Sequence, residues 1–554
     1  MAMRKILPIG IDSFREVRES DKYYVDKTLL IRDFIKNDEK VALITRPRRF
    51  GKTLNMTMIR EFFDITKDSK AIFSGLKIMD TEYAERINSR PVIYFTFKDC
   101  KAKTAELLYR KIAAIVFKEY EKYYRILKGN VDEAEGFFYK FFMCCEKMLQ
   151  NDDSLFNSEN GLFLLMNSIE LLEIVLFRYY NVKPIVLIDE YDQPIMASYE
   201  YGYHDDINMF FSSFYGAALK GQDCLHQALM TGIQRVVKES IFSQLNNVQV
   251  YTVIDEEYSD FFGLNESETN DLLGNYGLLL TEEVKRRYDG YLFYKTEMYN
   301  PWSVLNYAKS GLLRNYWINT STNALIRHSI NEAKERFIEH FDLLIANETA
   351  AVTIDLGCSF IELKHPDTLW GLLVNTGYIT VVDVTDEYYM KVKIPNGEVR
   401  SEFQTVIADR ANLESSDLNS MFRYLLAADM ENFMKIYREL VRSCTSYFDA
   451  KENAYHMLFL GMCISLNNIY KIISNIESGY GRSDIRMESV SKDRPHIVIE
   501  FKQGEDLDVL KEEALTQILE KKYYDGLEGE ILCIGIAHNK KNCALVHKKI
   551  AAKI

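Results

Sequence analysis

Val41-Ala-Leu-Ile-Thr-Arg-Pro-Arg-Arg-Phe-Gly-Lys-Thr53 is an apolar run that passes into a basic loop closed by glycine. Val41–Thr45 carries no charge, as expected of a strand buried on both faces. Gly51-Lys52-Thr53 then opens a helix-like segment from Leu54 to Phe63. Strand, loop and helix in this order form the context of a phosphate-binding loop. Helix N-termini carry unpaired N–H groups and a positive dipole end, so phosphate settles there. Gly51, Lys52, Thr53 and Leu54 are therefore candidate nucleotide ligands. Lys52 would reach the β/γ-phosphates, and the Thr53 hydroxyl would hold Mg²⁺. The generic G-x-x-x-x-G-K-[ST] pattern begins with glycine, where this chain has Arg46. Arg46 and Arg49 are counted with the phosphate-binding set. The trio Arg46, Arg48 and Arg49 also admits contacts across a subunit boundary or with a carboxylate of a neighbouring domain.

Pro184-Ile-Val-Leu-Ile-Asp-Glu-Tyr-Asp192 is a second apolar run, ending in acids. Ligands of parallel α/β sheets bind at the C-terminal ends of strands, where these acids lie. Asp189 is expected to help hold Mg²⁺ through its water shell. Glu190 would orient or deprotonate the attacking water. Farther on, His226-Gln-Ala-Leu-Met-Thr231 ends in Thr231-Gly232, with Arg235 close behind. Thr231 is placed to contact a γ-phosphate and Arg235 to sense its charge; a satisfied turn threonine and a surface arginine are the plainer reading. Loop and acidic strand together, in order on one chain, predict nucleotide binding.

A chain of 554 residues exceeds a single core, so several domains are expected. The net charge of −13 excludes a uniformly basic coat for nucleic acid, though not a local basic cleft. No apolar run approaches the ~18 residues of a membrane span, and no signal-peptide core follows Met1. The nine cysteines lack C-x-x-C spacing, which argues for reduced core thiols and a cytoplasmic location.

Strands are expected at 41–45, 91–97, 184–188, 226–231 and 249–253, with helices at 104–124, 134–149 and 161–180. Such alternation specifies a parallel three-layer α/β/α sheet. Residues 255–345 read as mainly helical, with turns at Tyr288–Tyr291 and Tyr299–Ser303 and aromatic residues as packing. A short helix at Leu369–Val374, a hairpin at 378–382 and 388–394, and an Asn396-Gly397 turn fit a winged-helix module. Asp383, Asp386 and Glu387 favour a scaffold role for it over DNA reading. Helices are expected again over 415–475. The predicted domains are a P-loop core (1–255), a helical lid (256–345), a winged-helix-like module (346–412) and a small α/β unit (413–554).

That last unit carries a second constellation. Glu477 ends a helical pattern; Gly481-Arg-Ser-Asp484, Ile485–Ser489 and Ile497-Val-Ile-Glu-Phe-Lys502 then read as a hairpin. Strand periodicity puts Glu500 and Lys502 on one face and Phe501 on the other. Pairing of the strands brings Asp484 beside Glu500, and a divalent cation relieves the repulsion of two adjacent carboxylates. Such oxygen ligands suit Mg²⁺ or Mn²⁺. A metal-bound water, placed with the help of Lys502, would cut a phosphodiester. Glu477 is a further candidate metal ligand, and Gln517, with Lys521 one turn later, faces the same site. The plainer reading is a surface hairpin with a Glu–Lys pair, but charges interrupting a buried strand are costly without a purpose.

These motifs resemble a bacterial and archaeal family with an N-terminal "predicted AAA-ATPase" domain and a C-terminal PD-(D/E)xK nuclease-superfamily domain. The resemblance rests on Tyr24-Val-Asp-Lys-Thr28, Thr45–Thr53, Leu187–Asp192, Met230–Arg235, Tyr299–Ser303, Gly481–Asp484 and Ile499–Lys502, and spans nearly the whole chain. It accounts for Arg46, because the family's own loop begins with arginine. It implies a P-loop ATPase core similar to archaeal-type and STAND-like ATPases, a lid and winged helix behind it, and Asp26 near the nucleotide base. It also implies a nuclease site of Asp484, Glu500 and Lys502, with Glu477 and Gln517 as weaker matches.

The leading expectation is an ATP-controlled, Mg²⁺-dependent nuclease acting on DNA or RNA. The alternative is a nucleotide switch whose rear domain binds nucleic acid or protein without cleaving. Expected partners are ATP and nucleic acid, with no membrane, and a homo-oligomer is admitted. Convergence of Asp484, Glu500 and Lys502 discriminates between the two.

Overall fold

The computed structural model describes residues 4–150, 159–221, 223–235, 247–317, 349–357, 365–386, 388–410, 415–443, 469–491 without 479, 480 and 492, and 493–552 without 541, with scattered positions in 326–344 and 459–466. The chain divides into two compact units, residues 1–317 with 353–381, and residues 318–352 with 382–554.

In the first unit, β1 (Val41–Thr45), β2 (Val92–Thr96), β3 (Ile185–Asp189), β4 (Ala228–Gly232) and β5 (Val248–Tyr251) form one sheet in the order β2-β3-β4-β1-β5. Every pairing is parallel. β1, β3 and β4 are buried at every residue, which is why their sequences are apolar without alternation. Because β4 lies between β1 and β3, the loop after β1 and the acids after β3 flank the end of β4. The register pairs Thr96 with Asp189 and Thr45 with Gly232, so these strand ends share one edge.

The expected strands appear within two residues of their predicted bounds. The helix expected at 161–180 is two helices, Glu159–Met166 and Ser168–Tyr180. The 255–345 segment is not purely helical. A short antiparallel hairpin, β6 (Tyr291–Phe293) and β7 (Thr296–Met298), separates helix Glu282–Tyr288 from helix Pro301–Ser310. Its inward residues Tyr291, Phe293 and Met298 are buried, so the alternation was present but too short to read against helical neighbours. Asn300 caps the following helix, accepting from the N–H groups of Trp302 and Ser303. Tyr288, Tyr299 and Tyr307 pack in one cluster with Leu272 and Val304, as the packing reading expected.

β8 (Thr349–Thr353), β9 (Thr380–Val384) and β10 (Tyr389–Lys393) form a sheet in the order β8-β10-β9, and helix Pro366–Thr376 precedes β9. Where a turn was expected at Asn396-Gly397 after this hairpin, a helix begins: Asn396 Oδ1 accepts from Val399 N at the start of helix Gly397–Arg410, an N-cap.

The second unit's main sheet runs β11 (Tyr470–Ser478), β12 (Gly481–Ser489), β13 (His496–Gln503), β14 (Gly529–Asn539), β15 (Asn542–Ala552), in that order. Only β13–β14 is parallel, joined through helix Leu507–Glu520. Ile499, Phe501, Ile534 and Ile536 face a core with Phe433 and Tyr437. Val498, Ile531 and Cys533 pack instead with Leu515, Ile518 and Tyr523. The helix expected to continue to residue 475 has given way to β11 by Tyr470. Isoleucines at 472, 473 and 476 stiffen the backbone toward the extended form, and β12 supplies a partner.

Candidate functional site

Asp189, the last residue of β3, is fully buried, and three hydroxyls converge on its carboxylate. Thr53 Oγ1 donates to Oδ2 at 2.8 Å, Thr96 Oγ1 to the same oxygen at 3.2 Å, and Thr231 Oγ1 to Oδ1 at 2.7 Å. A buried carboxylate is costly unless so satisfied. Thr53 stands in the first turn of helix Lys52–Phe63, whose N-cap is Gly51 at φ 85°, a left-handed backbone that glycine adopts without strain. Among the described residues no side chain caps this helix end. Helix geometry leaves the N–H groups from Gly51 to Leu54 without intrahelical partners.

Lys52 is buried, and its Nζ donates to the carbonyl oxygens of Arg46 and Pro47, both at 3.0 Å. Burial lowers its pKa, opposed by the nearby Glu190, Asp192 and Asp189. Glu190 follows β3 in a left-handed conformation, φ 52°. Burial raises its pKa, while Lys52 pulls the other way. Asp192 accepts from the backbone N–H groups of Ile233 and Gln234 at 2.8 and 2.7 Å, pinning the chain just beyond Thr231. The Nε of Arg235 is buried and has no hydrogen-bond partner among the described residues.

Three expected ligands are placed differently. Arg46 is fully buried, and its Nη1 donates to the carbonyls of Thr45, Tyr251 and Thr252, while its guanidinium lies over the rings of Phe262 and Phe293. Desolvation drops its pKa to about 9. The guanidinium thus anchors the loop to the segment after β5 rather than facing phosphate. Arg49 stacks on Trp302, 4.3 Å from the ring centroid, and donates to Tyr316 O at 3.0 Å. Asp26 is spent on a turn: Oδ1 accepts from Thr28 N and Oγ1, and Oδ2 from Lys77 N. Its sequence neighbours Val25 and Lys27, with Tyr23, Gly51, Leu54 and Leu305, instead line a mostly apolar pocket of about 90 Å³ beside the loop.

In the second unit, β12 and β13 pair in register as far as Ile485↔Ile499. One step beyond, the strands' backbone groups are satisfied by the acids themselves. Phe501 N donates to Asp484 Oδ2 at 2.8 Å, and Asp484 N to Glu500 Oε2 at 3.3 Å. The two carboxylates therefore sit side by side. Lys502 Nζ lies 3.6 Å from Glu500 Oε1, and Gln517 Nε2 donates to that oxygen at 2.6 Å. Gln517 is itself tied to Tyr523 Oη at 2.9 Å. Lys521 is exposed. Glu477 lies on β11, opposite Arg482, rather than at a helix end, and its side chain is outside the described residues.

Helix Leu507–Glu520 reaches Glu500 because Gly535, its register partner on β14, lacks a side chain. A Cβ there would lie 2.4 Å from Lys511 O and 2.7 Å from Leu515 N. Sequence reasoning missed Gly535, Thr96, Asp192 as a clamp, and Tyr523. A lone glycine inside an apolar strand signals close backbone approach, and so was readable. Thr96 interrupted an apolar run one residue before its end and offered a weaker signal. Tyr523, in a Lys-Lys-Tyr-Tyr stretch, offered none.

Residues 8–242 match the family model described as predicted AAA-ATPase, and residues 450–548 that of the PD-(D/E)XK nuclease superfamily. The chain is also similar to a protein described as "Uncharacterized protein in vnfD 5'region" of Azotobacter chroococcum mcd 1, with 24% identity over 447 residues, 78% of this chain and 77% of that protein.

Proposed function

We propose that the front domain binds and hydrolyses ATP with Mg²⁺, and that its nucleotide state controls a Mg²⁺-dependent phosphodiesterase in the rear domain that cuts DNA or RNA. The observation that carries this reading is the convergence of Thr53, Thr231 and Asp189 beside Lys52 at an uncapped helix N-terminus. The donor set fits a magnesium–triphosphate: a hydroxyl and carboxylate for the cation, helix N–H groups and Lys52 for phosphate, and the orphaned Arg235 Nε for added negative charge. The apolar pocket beside Gly51 and Leu54 suits a planar base. Glu190, its carboxyl raised by burial, is suited to take a proton nearer neutrality than an exposed glutamate.

At the rear, Asp484 and Glu500 would hold the cation, Lys502 would place the attacking water, and Gln517 would fix the orientation of Glu500. Mg²⁺, or Mn²⁺ on the same oxygens, would supply a lowered water pKa and charge stabilisation at phosphorus. Among the described residues no single helix is long and apolar enough to cross a membrane, and the cysteines are free, which supports a reducing, cytoplasmic setting.

One observation favours the second reading, a rear domain that binds without cutting. A groove beside Gln517 is lined by Asp508, Glu512, Glu513 and Glu520, which repel a polyphosphate and attract a basic protein surface. ATP turnover and DNA or RNA cleavage, measured together with and without Mg²⁺, decide between them. Mg²⁺-dependent cleavage lost in Glu500→Ala supports the nuclease. ATP turnover without any cleavage supports the binding module. No ATP or ADP uptake by calorimetry refutes the front-site reading.

A further inference from the structure

The C-terminal end of helix Pro366–Thr376 is tied to the nucleotide site at two independent points. Buried Asn375 donates from Nδ2 to Oε1 of buried Gln234 at 3.0 Å. Gln234 lies three residues beyond Thr231, its backbone N–H ends on Asp192, and its carbonyl accepts from Tyr191 Oη at 2.6 Å. The second tie is steric. Gly377 caps the helix at φ 85°, and a Cβ there would lie 2.9 Å from Pro47 Cβ. The ring of Pro47 therefore rests directly on the backbone of the helix end. Pro47 also supplies one of the two carbonyls that hold Lys52 Nζ.

A third contact fastens the same segment. Leu292 N donates to Thr380 Oγ1 at 2.9 Å, and the neighbouring Tyr291 ring packs edge-on against Phe50, which precedes Gly51. Asn375, Gly377 and Thr380 thus touch the phosphate loop, the segment after β4 and the β6–β7 hairpin within six residues of chain. Beyond Thr380 the chain runs through β9 into the second compact unit.

The ties respond to phosphate for a chemical reason. Lys52 Nζ spends two of its three N–H donors on the carbonyls of Arg46 and Pro47, so drawing it toward a β/γ-phosphate pulls on both bonds. Arg46 is held by four carbonyls and two aromatic rings, so the adjustment falls on Pro47. A γ-phosphate drawing on Thr231 and Arg235 acts on the residue between them and Asn375. That residue, Gln234, has a buried Nε2 without a hydrogen-bond partner, so Asn375 is its one side-chain tie among the described residues. We infer that Asn375–Thr380 reports the nucleotide state: a γ-phosphate shifts Pro47 and Gln234 and thereby moves the end of helix Pro366–Thr376. This rests on the ATP-binding reading, and adds to it the residues through which binding is transmitted.

The test is hydrogen–deuterium exchange of the full-length protein, saturated with MgADP or with Mg²⁺ and a non-hydrolysable ATP analogue. In the wild type, amides of 366–384 should exchange at rates that differ between the two nucleotides by ~5-fold or more. In Asn375→Ala that difference should collapse, while ADP affinity measured by calorimetry stays at the wild-type value. Gln234→Leu removes the same bond but leaves the bond from Asn375 to Leu356 O, and serves should Asn375→Ala fail to fold. Equal exchange in the two wild-type complexes, or a difference that persists in the variant, overturns the inference while leaving the ATP site intact. Failure of the wild type to take up either nucleotide overturns both.

Discussion

Replacing Gly535 by alanine should uncouple the rear site without touching any of its acids. A Cβ at 535 would lie 2.4 Å from Lys511 O, 2.7 Å from Leu515 N and 3.1 Å from Ala514 Cβ, where ordinary contact begins at 3.4 Å. Two of these neighbours are backbone atoms of one helix, so no side chain can swing aside. Helix Leu507–Glu520 must lift by about 1 Å, or the strand must sink into a close-packed core. Overpacking of this kind costs about 1–3 kcal/mol. The same movement carries Gln517 away from Glu500 Oε1, lengthening a 2.6 Å bond past hydrogen-bonding range. A 1 Å misplacement in a catalytic constellation costs on the order of 100-fold in rate. The assay pairs urea denaturation, followed by the signal of the rear unit, with Mg²⁺-dependent cleavage of single- and double-stranded DNA and RNA. A variant with wild-type midpoint and wild-type cleavage would refute the argument that the missing side chain sets the reach of Gln517.

At the front, Lys52→Ala should abolish uptake of ATP and ADP in calorimetry, and retained binding would remove Lys52 from the phosphates. Glu190→Gln should leave binding intact and slow ATP turnover by about 100-fold or more, because only proton transfer is lost; turnover at the wild-type rate would mean that Glu190 has another role. Since burial raises the Glu190 carboxyl, turnover should fall on acidification at a pH above the ~4.3 of an ordinary glutamate, and a flat profile down to that value argues against it as the base. At the rear, Glu500→Ala and Lys502→Ala should each remove metal-dependent cleavage, and cutting by both would reject the site. Glu173 is fully buried with neither carboxylate oxygen hydrogen-bonded among the described residues, and burial raises its pKa well above the usual range. The folded protein therefore binds the extra proton, so stability is full below ~4.3 and is lost as pH rises through the raised value. Glu173→Gln should flatten that decline in thermal melts between pH 5 and pH 8, and an unchanged slope would place the titration elsewhere.

The fold was legible wherever burial is two-sided or periodicity is long. Val41–Thr45 and Ile185–Asp189 could be read as central strands because every residue in them faces a layer of packing, and only apolar side chains tolerate that. β6 and β7, three residues each, carry too few alternations to outweigh flanking helical periods. Tyr470–Ser478 was misread for a related reason. Isoleucines at 472, 473 and 476 satisfy a helical spacing as well as a strand, and only its ladder to β12, a non-local contact, decides between them.

The site divides along the same line. Lys52, Thr53, Asp189, Asp484, Glu500 and Lys502 were readable because their chemistry is unusual for their surroundings: charge or hydroxyl at the end of a buried run. Arg46 shows where that logic fails. A buried arginine in a phosphate loop has two ways to be satisfied, an anion or a cage of carbonyls, and residue type does not separate them. The cage is built by Tyr251, Thr252 and the rings of Phe262 and Phe293, all some two hundred residues or more downstream. The consequence is mechanical. A loop whose first residue is locked by its guanidinium has fewer ways to answer a phosphate, and the freedom that remains lies at Pro47 and at Lys52. Arg46→Gly would restore the generic loop pattern but release the cage. The expected result is a nucleotide site that still binds, since no phosphate ligand is removed, with weaker thermal stability and a blunted exchange response at 366–384. A variant that loses nucleotide affinity while keeping its stability would instead put the guanidinium on the phosphates.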